Sequence, residues 1–220
     1  VLNIDRHHTP LESLITAAYV LAGGVWYTTL SLLLYSFRPY KLVQQALGDC
    51  IQTTAGYMRA KAVFYSKDVD YDKAYRQLME SQVAIHEKQD LVRELLFKSR
   101  KIVRESTHTG RVLMMIFLDI IDLFERTMTA QQDYRMLHEH FDDSGLMQEC
   151  KRLILDLAAE LDEIGIAVMS GKASVENKEI LTRIRQVRAD LDRYKAGHQR
   201  QAGEGAFAGL SNILDSIEDL

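Results

Sequence analysis

SLITAAYVLAGGVWYTTLSLLLYSF, from Ser13 to Phe37, contains no charged residue. At about 1.5 Å of rise per residue, a helix of this length crosses a hydrocarbon core of roughly 30 Å. A buried core helix is the competing reading, but such helices are usually shorter and keep a polar face, whereas here small and bulky apolar residues occur all round. A cleavable signal peptide fits badly, because Asp5 and Glu12 precede the run and the basic residues follow it. Ser13 to Phe37 is therefore read as a membrane span.

Within it, Gly23 and Gly24 sit beside Ala17, Ala18 and Ala22. Residues of this size let two membrane helices approach closely, although glycine is also simply tolerated in lipid. Trp26 lies in the same run. Arg38 and Lys41 follow the span at once, with Arg59 and Lys61 further on, against Arg6 before it. The excess of positive charge places the part after the span in the cytoplasm.

Beyond the span the composition is that of helices in water. The two prolines are Pro10 and Pro39, so none interrupts the chain from Tyr40 to Leu220. Apolar residues recur at helical spacing from Leu42 to Phe64, and again from Tyr71 to Leu96 after the turn Lys67-Asp68-Val69-Asp70. A third helix opens near Thr109-Gly110, carries VLMMIFLDIIDLF (Val112 to Phe124), and is predicted to be the central helix and to continue to about Phe141. That apolar run is too short, and too acidic, for a second crossing. Asp142-Asp143-Ser144-Gly145 is a turn and cap, followed by a fourth helix stopping at Gly171. A fifth fits Val175 to Tyr194, and Leu210 to Leu220 begins a sixth after the glycine-rich stretch from Ala196 to Gly209. No segment alternates with period two. The expected fold is all-α: residues 1–40 end a membrane domain, and residues 41–220 form an antiparallel bundle of five to six helices. A start at Val1 and an end on Ser-Ile-Glu-Asp-Leu read as those of a fragment, with the bundle incomplete at its C-terminus.

Several clusters carry chemistry. Asp119, Asp122 and Glu125 share one side of the third helix and could bind a cation or shuttle a proton, but pairing with Arg or Lys of a neighbouring helix is the preferred expectation. A di-iron bundle would need a repeated Glu-x-x-His, and the one match, Glu105 to His108, falls at a helix end. His138, His140, Asp142 and Asp143 match no established metal spacing and flank a turn. Lys98, Arg100, Lys101, Arg104 and Arg111 crowd the end of the second helix, offsetting its dipole or contacting anionic lipid or another anion. Cys50 and Cys150 have no metal-site spacing and fit a reducing compartment. A net charge of -4 argues against nucleic acid as a partner. No nucleophile elbow, Walker loop, dinucleotide fingerprint or Cys-x-x-Cys occurs, so neither an enzyme nor a cofactor is expected.

Four stretches carry a family resemblance: LLLYSFRPYKLVQQALGDC (Leu32 to Cys50), AIHEKQDLVRELLF (Ala84 to Phe97), TGRVLMMIFLDIIDLFE (Thr109 to Glu125) and the FDDSG turn (Phe141 to Gly145). With the order of span, Ser-Phe-Arg-Pro-Tyr and long helical domain, the chain resembles the fusaric-acid-resistance-like (FUSC) inner-membrane proteins, in their YccS/YhfK branch. The resemblance implies two membrane bundles with this domain between them on the cytoplasmic side of a bacterial inner membrane. It also implies efflux of aromatic acids or related small molecules. The implied partners are the bilayer, the rest of the same chain and a second copy in a homo-oligomer. The rival expectation is a membrane-anchored scaffold or sensor with no transport activity.

Overall fold

A computed structural model describes residues 10–36, 40–98, 108–129, 133–173, 178–198 and 211. The chain separates into two units, Val1–Lys41 and Leu42–Leu220. The fold is all-α, with seven α-helices and no strand among the described residues. They are α1 (Pro10–Ser36), α2 (Lys41–Ala62), α3 (Tyr71–Lys98), α4 (His108–Thr129), α5 (Tyr134–Phe141), α6 (Leu146–Ser170) and α7 (Lys178–His198), with 3-10 turns at Val63–Tyr65 and Asp142–Ser144. The expected sixth bundle helix lies outside the described residues except for Ser211, which is helical.

In the first unit, every side chain from Leu14 to Leu32 is exposed, Trp26 and Tyr27 included. A core helix of this composition would bury most of that surface, and none of this stretch is buried. Two hydroxyls in the run satisfy themselves within the helix: Thr28 Oγ1 donates to the Gly24 carbonyl at 2.6 Å and Thr29 Oγ1 to that of Val25 at 2.7 Å. Such bonds remove polar groups from the outer surface, which a helix facing hydrocarbon requires. A Cβ added at Gly23 or Gly24 would meet nothing within 4 Å.

The second unit is built around α2. Val43, Leu47, Cys50, Ile51, Thr54, Ala55, Tyr57 and Met58 are all buried, so the helix is covered on most of its sides. Its alanines, Gly48 and Thr54 are small, which lets neighbours close in from several directions. The expectation that VLMMIFLDIIDLF would be central is corrected: α4 buries Leu113, Phe117, Ile120, Leu123 and Phe124 along one stripe and leaves Met115 and Leu118 exposed. Asp119 and Asp122, both exposed, hold that outer side toward water.

Helix α3 returns antiparallel to α2. Lys88 Nζ lies 3.5 Å from Asp49, Tyr57 packs against Ile85, and Phe64 meets Tyr71 and Tyr75. Asp70 starts α3, its Oδ1 accepting from the Lys73 amide at 3.1 Å, as the turn sequence predicts. Helix α4 runs back along α3, with Phe124 against Ile85 and Gln82 Nε2 donating to Met128 Sδ at 3.1 Å. The predicted single helix to Phe141 is in fact two. Asp133 lies outside helical geometry and its carboxylate accepts from the Met136 amide, which starts α5 afresh. An aspartate inside a helical pattern was the missed stop signal.

Helix α6 is antiparallel to α2, and the two backbones cross closely at Gly48 and Gly165. A Cβ at Gly48 would lie 2.7 Å from the Gly165 carbonyl oxygen, and one at Gly165 would lie 3.1 Å from that of Gly48. Gly171 ends α6 at φ 71°, where its amide bonds Val168 O and the Lys172 amide bonds Ala167 O. Those two bonds cap the last carbonyls in a left-handed turn that favours glycine. Helix α7 buries Ile184, Val187 and Leu191, and the predicted start at Val175 lies outside the described residues. Arg183 pairs with Asp156 of α6, and Phe141 packs on Tyr194 with centroids 5.7 Å apart.

Candidate functional site

The predicted acidic trio does not converge on a site. Asp119, Asp122 and Glu125 are all exposed on α4. Asp122 accepts from Arg126 Nε at 2.8 Å, so its cation comes from the same helix and not, as expected, from a neighbouring one. The i,i+4 spacing makes that partner available without any tertiary contact. Among the described residues no group of three or more His, Cys, Asp or Glu could hold a metal ion.

The histidines near the turn serve the fold. Both ring nitrogens of His138 are engaged, Nδ1 with Asp142 Oδ1 at 2.6 Å and Nε2 with the Phe64 carbonyl at 2.8 Å. His140 Nδ1 lies 2.8 Å from the Met136 carbonyl. His138 thus ties α5 to the turn that ends α2.

Of the basic cluster, Lys98 is exposed and pairs with Glu94, and Arg111 is exposed in the first turn of α4. Arg100, Lys101 and Arg104 lie outside the described residues, as does Glu105. Among the span residues, Gly23, Gly24 and Trp26 are on α1. Ser13 is within that helix, and Phe37 is outside the described residues. Two cations counted as flanking charges play another part. Arg59 pairs with Asp162 of α6. Lys61 is buried, its Nζ donates to the Thr127 carbonyl, and burial brings its ammonium down to about 8.

Burial also makes the thiols inert. It pushes Cys50 up to about 11, with Lys88 pulling the other way, and Cys150 up to about 12, with Glu149 adding to the effect.

What the periodicity did not reveal is an aromatic cluster where α2, α3 and α5 meet. Phe64 stacks on Tyr134 with centroids 4.8 Å apart and planes 24° apart, and Tyr65 meets Tyr134 edge-on at 5.5 Å. Burial, with the neighbouring Tyr134 and Cys150, holds the Tyr65 phenol well above its ordinary range. Beside this cluster an open cleft of about 340 Å³ is lined by Tyr71, Asp72, Tyr75, Asp133, Tyr134 and Arg135. The Arg135 guanidinium lies 5.5 Å above the Tyr71 ring, so the aromatic face is already covered by a cation of the chain itself. Tyr71 and Tyr75 could be read from sequence only as part of an apolar stripe, and Arg135 as one charge of a continuous helix.

A family model described as FUSC-like inner membrane protein yccS matches residues 4–220. An uncharacterized protein of Haemophilus influenzae is 22% identical over 208 residues, covering 94% of this chain and 29% of the relative. Inner membrane protein YccS of Escherichia coli (strain K12) is 27% identical over 143 residues, covering 62% of this chain and 19% of the relative. The chain therefore spans less than a third of the length of these relatives. No solved structure matches. With a helix whose stretch from Leu14 to Leu32 is uncharged and exposed, and a family match over residues 4–220, the chain belongs to the FUSC-like inner membrane proteins of the yccS type.

Proposed function

We propose that this chain is the part of an inner-membrane efflux transporter in which a last spanning helix, α1, joins a helical domain on the cytoplasmic side. The cargo is an aromatic acid or a related small molecule, and the domain supports gating or contacts between copies. One observation carries the reading: Leu14 to Leu32 expose uncharged side chains on every side, and only residues 37–40 separate α1 from a domain with its own core. Membership in an inner-membrane family supports it. The lipid bilayer, the remainder of the longer chain and a second copy are the partners. Deleting the full-length gene should sensitise cells to some member of a broad aromatic-acid panel. Unchanged tolerance across the panel would favour a membrane-anchored scaffold or sensor instead. Cytoplasmic placement is checked separately: a fluorescent protein fused after His198 should light up, and an alkaline phosphatase fused there should stay inactive.

A further inference from the structure

The helices of the second unit all turn at two ends, and the two ends differ in charge. At the far end, where α2 passes to α3, α5 to α6 and the last turn of α7 packs beside Phe141, stand Asp68, Asp70, Asp72, Asp133, Asp142, Asp143 and Asp192, against Lys67, Lys73, Arg135, Lys151, Arg193 and Lys195. The near end is set by the register. With Lys88 beside Asp49 and α3 antiparallel to α2, the last residues of α3 come level with the first turn of α2. With Gln82 bonded to Met128 and Ile85 against Phe124, the first turn of α4 comes level with the last of α3. The tight crossing of Gly48 with Gly165 likewise brings Gly171 and Lys172 to this end. Among the described residues, the near end therefore carries Lys41, Lys98, Arg111 and Lys172, with the acids Glu94, paired to Lys98, and Glu179. Residues 99–107 are not counted in this balance.

The same end also exposes large apolar side chains. Leu42 is 61% exposed, Phe97 63% and Val112 38%, with Met115 at 63% one turn further along α4. Phe97 and Val112 belong to facing ends of the α3–α4 hairpin, so apolar and basic groups alternate at its tip. Isolated exposed apolar residues are ordinary, but bulky ones interleaved with cations at one end are the pattern of a surface that meets anionic headgroups. Chain connectivity identifies which surface is in reach. From Ser36 to Lys41 the chain extends at most roughly 18 Å, so a bilayer that holds α1 is within reach of this end.

We propose that the tip of the α3–α4 hairpin, through Phe97, Lys98, Arg111 and Val112, docks on the anionic headgroup surface of the membrane that holds α1. The proposal rests on the reading of α1 as a spanning helix. Phe97 and Val112 enter the boundary between headgroups and acyl chains, while Lys98 and Arg111 stay among the phosphates. Docking would fix the domain's tilt against the membrane, which a tether at α1 alone leaves free.

The test uses the full chain in vesicles of phosphatidylglycerol and phosphatidylethanolamine, or of phosphatidylcholine alone, with lipids brominated near the headgroup end of the acyl chain or deeper. In the unaltered chain, Trp26 reports on α1. In a Trp26→Phe background, Phe97→Trp reports on the hairpin tip and Val63→Trp on the far end. The expected result is that Phe97→Trp loses most of its emission to shallow bromolipid in anionic vesicles. It recovers in phosphatidylcholine, at high salt, and when Lys98→Glu and Arg111→Glu are added, while Val63→Trp is never quenched. If Phe97→Trp is shielded from acrylamide yet untouched by bromolipid, protein and not lipid covers the tip, and the proposal is overturned. Equal access to acrylamide in both kinds of vesicle overturns it too. If Trp26 itself escapes the deep bromolipid, it is the spanning reading of α1 that fails, and this outcome is distinct from the others.

Discussion

At Lys61 a charge has been taken out of water, with the Thr127 carbonyl accepting from its Nζ, and desolvation lowers its pKa from 10.5 to about 8. Linkage turns that shift into a pH dependence of stability. Below about pH 8 both folded and unfolded chains hold the proton and the buried charge opposes folding. Between pH 8 and 10.5 the unfolded state binds more protons, so stability rises with pH. The thiols act in the opposite sense. Above pH 9 the folded state retains protons on Cys50 and Cys150 that the unfolded state gives up, and stability falls. Comparing Lys61→Met with the parent by urea denaturation in detergent isolates the lysine. The variant's advantage should shrink by about 3 kcal/mol from pH 8 to 10.5, and a flat difference would mean that Nζ reaches water. The same burial predicts that a maleimide reagent labels Cys50 and Cys150 only as the domain unfolds, which mass spectrometry along a urea series would read. His138 could be judged from sequence as a turn histidine but not as a tie, because its partner Phe64 is remote in the chain. Replacing it with Phe leaves the Phe64 carbonyl without that partner and should cost about 1–3 kcal/mol, measured by the same denaturation.

Among the elements, glycines of α2 separate two kinds of helical position. Gly56 has open space where a Cβ would be, and Gly48 does not: Met169 Cγ would lie 2.3 Å away and the Gly165 carbonyl oxygen 2.7 Å. Gly56→Ala should therefore raise stability by about 0.5–1 kcal/mol through helix propensity. Gly48→Ala should lower it by about 1–3 kcal/mol, because α6 must move away from α2. Opposite signs in thermal melts would support the close crossing, and equal gains would count against it. Element types were legible from composition and apolar spacing, as were the turns at Asp70 and Gly145, since those signals act within a few residues. The break before α5 was not legible, because Asp133 looks like any polar residue on a helical face until its carboxylate is seen to bond the Met136 amide.

For the whole molecule, the exposed stretch of α1 from Leu14 to Leu32 and the well-covered α2 are the two extremes of one chain. If α1 lies in lipid, Gly24→Arg should cost about 2.5–3.5 kcal/mol of insertion free energy. An insertion assay that scores the fraction of chains spanning would show the loss, and unchanged insertion would place that stretch elsewhere. The apolar helix was readable because an uncharged run of this length needs no tertiary information. Its predicted flanking charges were read less well: Arg59 pairs with Asp162 of α6 and Lys61 is buried against the Thr127 carbonyl, so both belong to the domain. The acidic trio was visible as a helical face, but only packing could show that the face is turned to water, with Asp122 served by its own helix.

Sequence by itself determined what is local: an all-helical chain, an apolar helix long enough to cross a bilayer, the start of α3 at Asp70 and the glycine stop at Gly171. Periodicity and capping reside in neighbouring residues, so no fold is needed to read them. The tertiary structure alone decided which helix is central, where Lys61 and His138 find partners and that α2 crosses α6 through two glycines. It also set the antiparallel register that brings Lys41, Lys98, Arg111 and Lys172 to one end of the domain. Those facts depend on groups far apart in the chain being brought within a few ångströms, and close packing selects among arrangements that every local signal would permit.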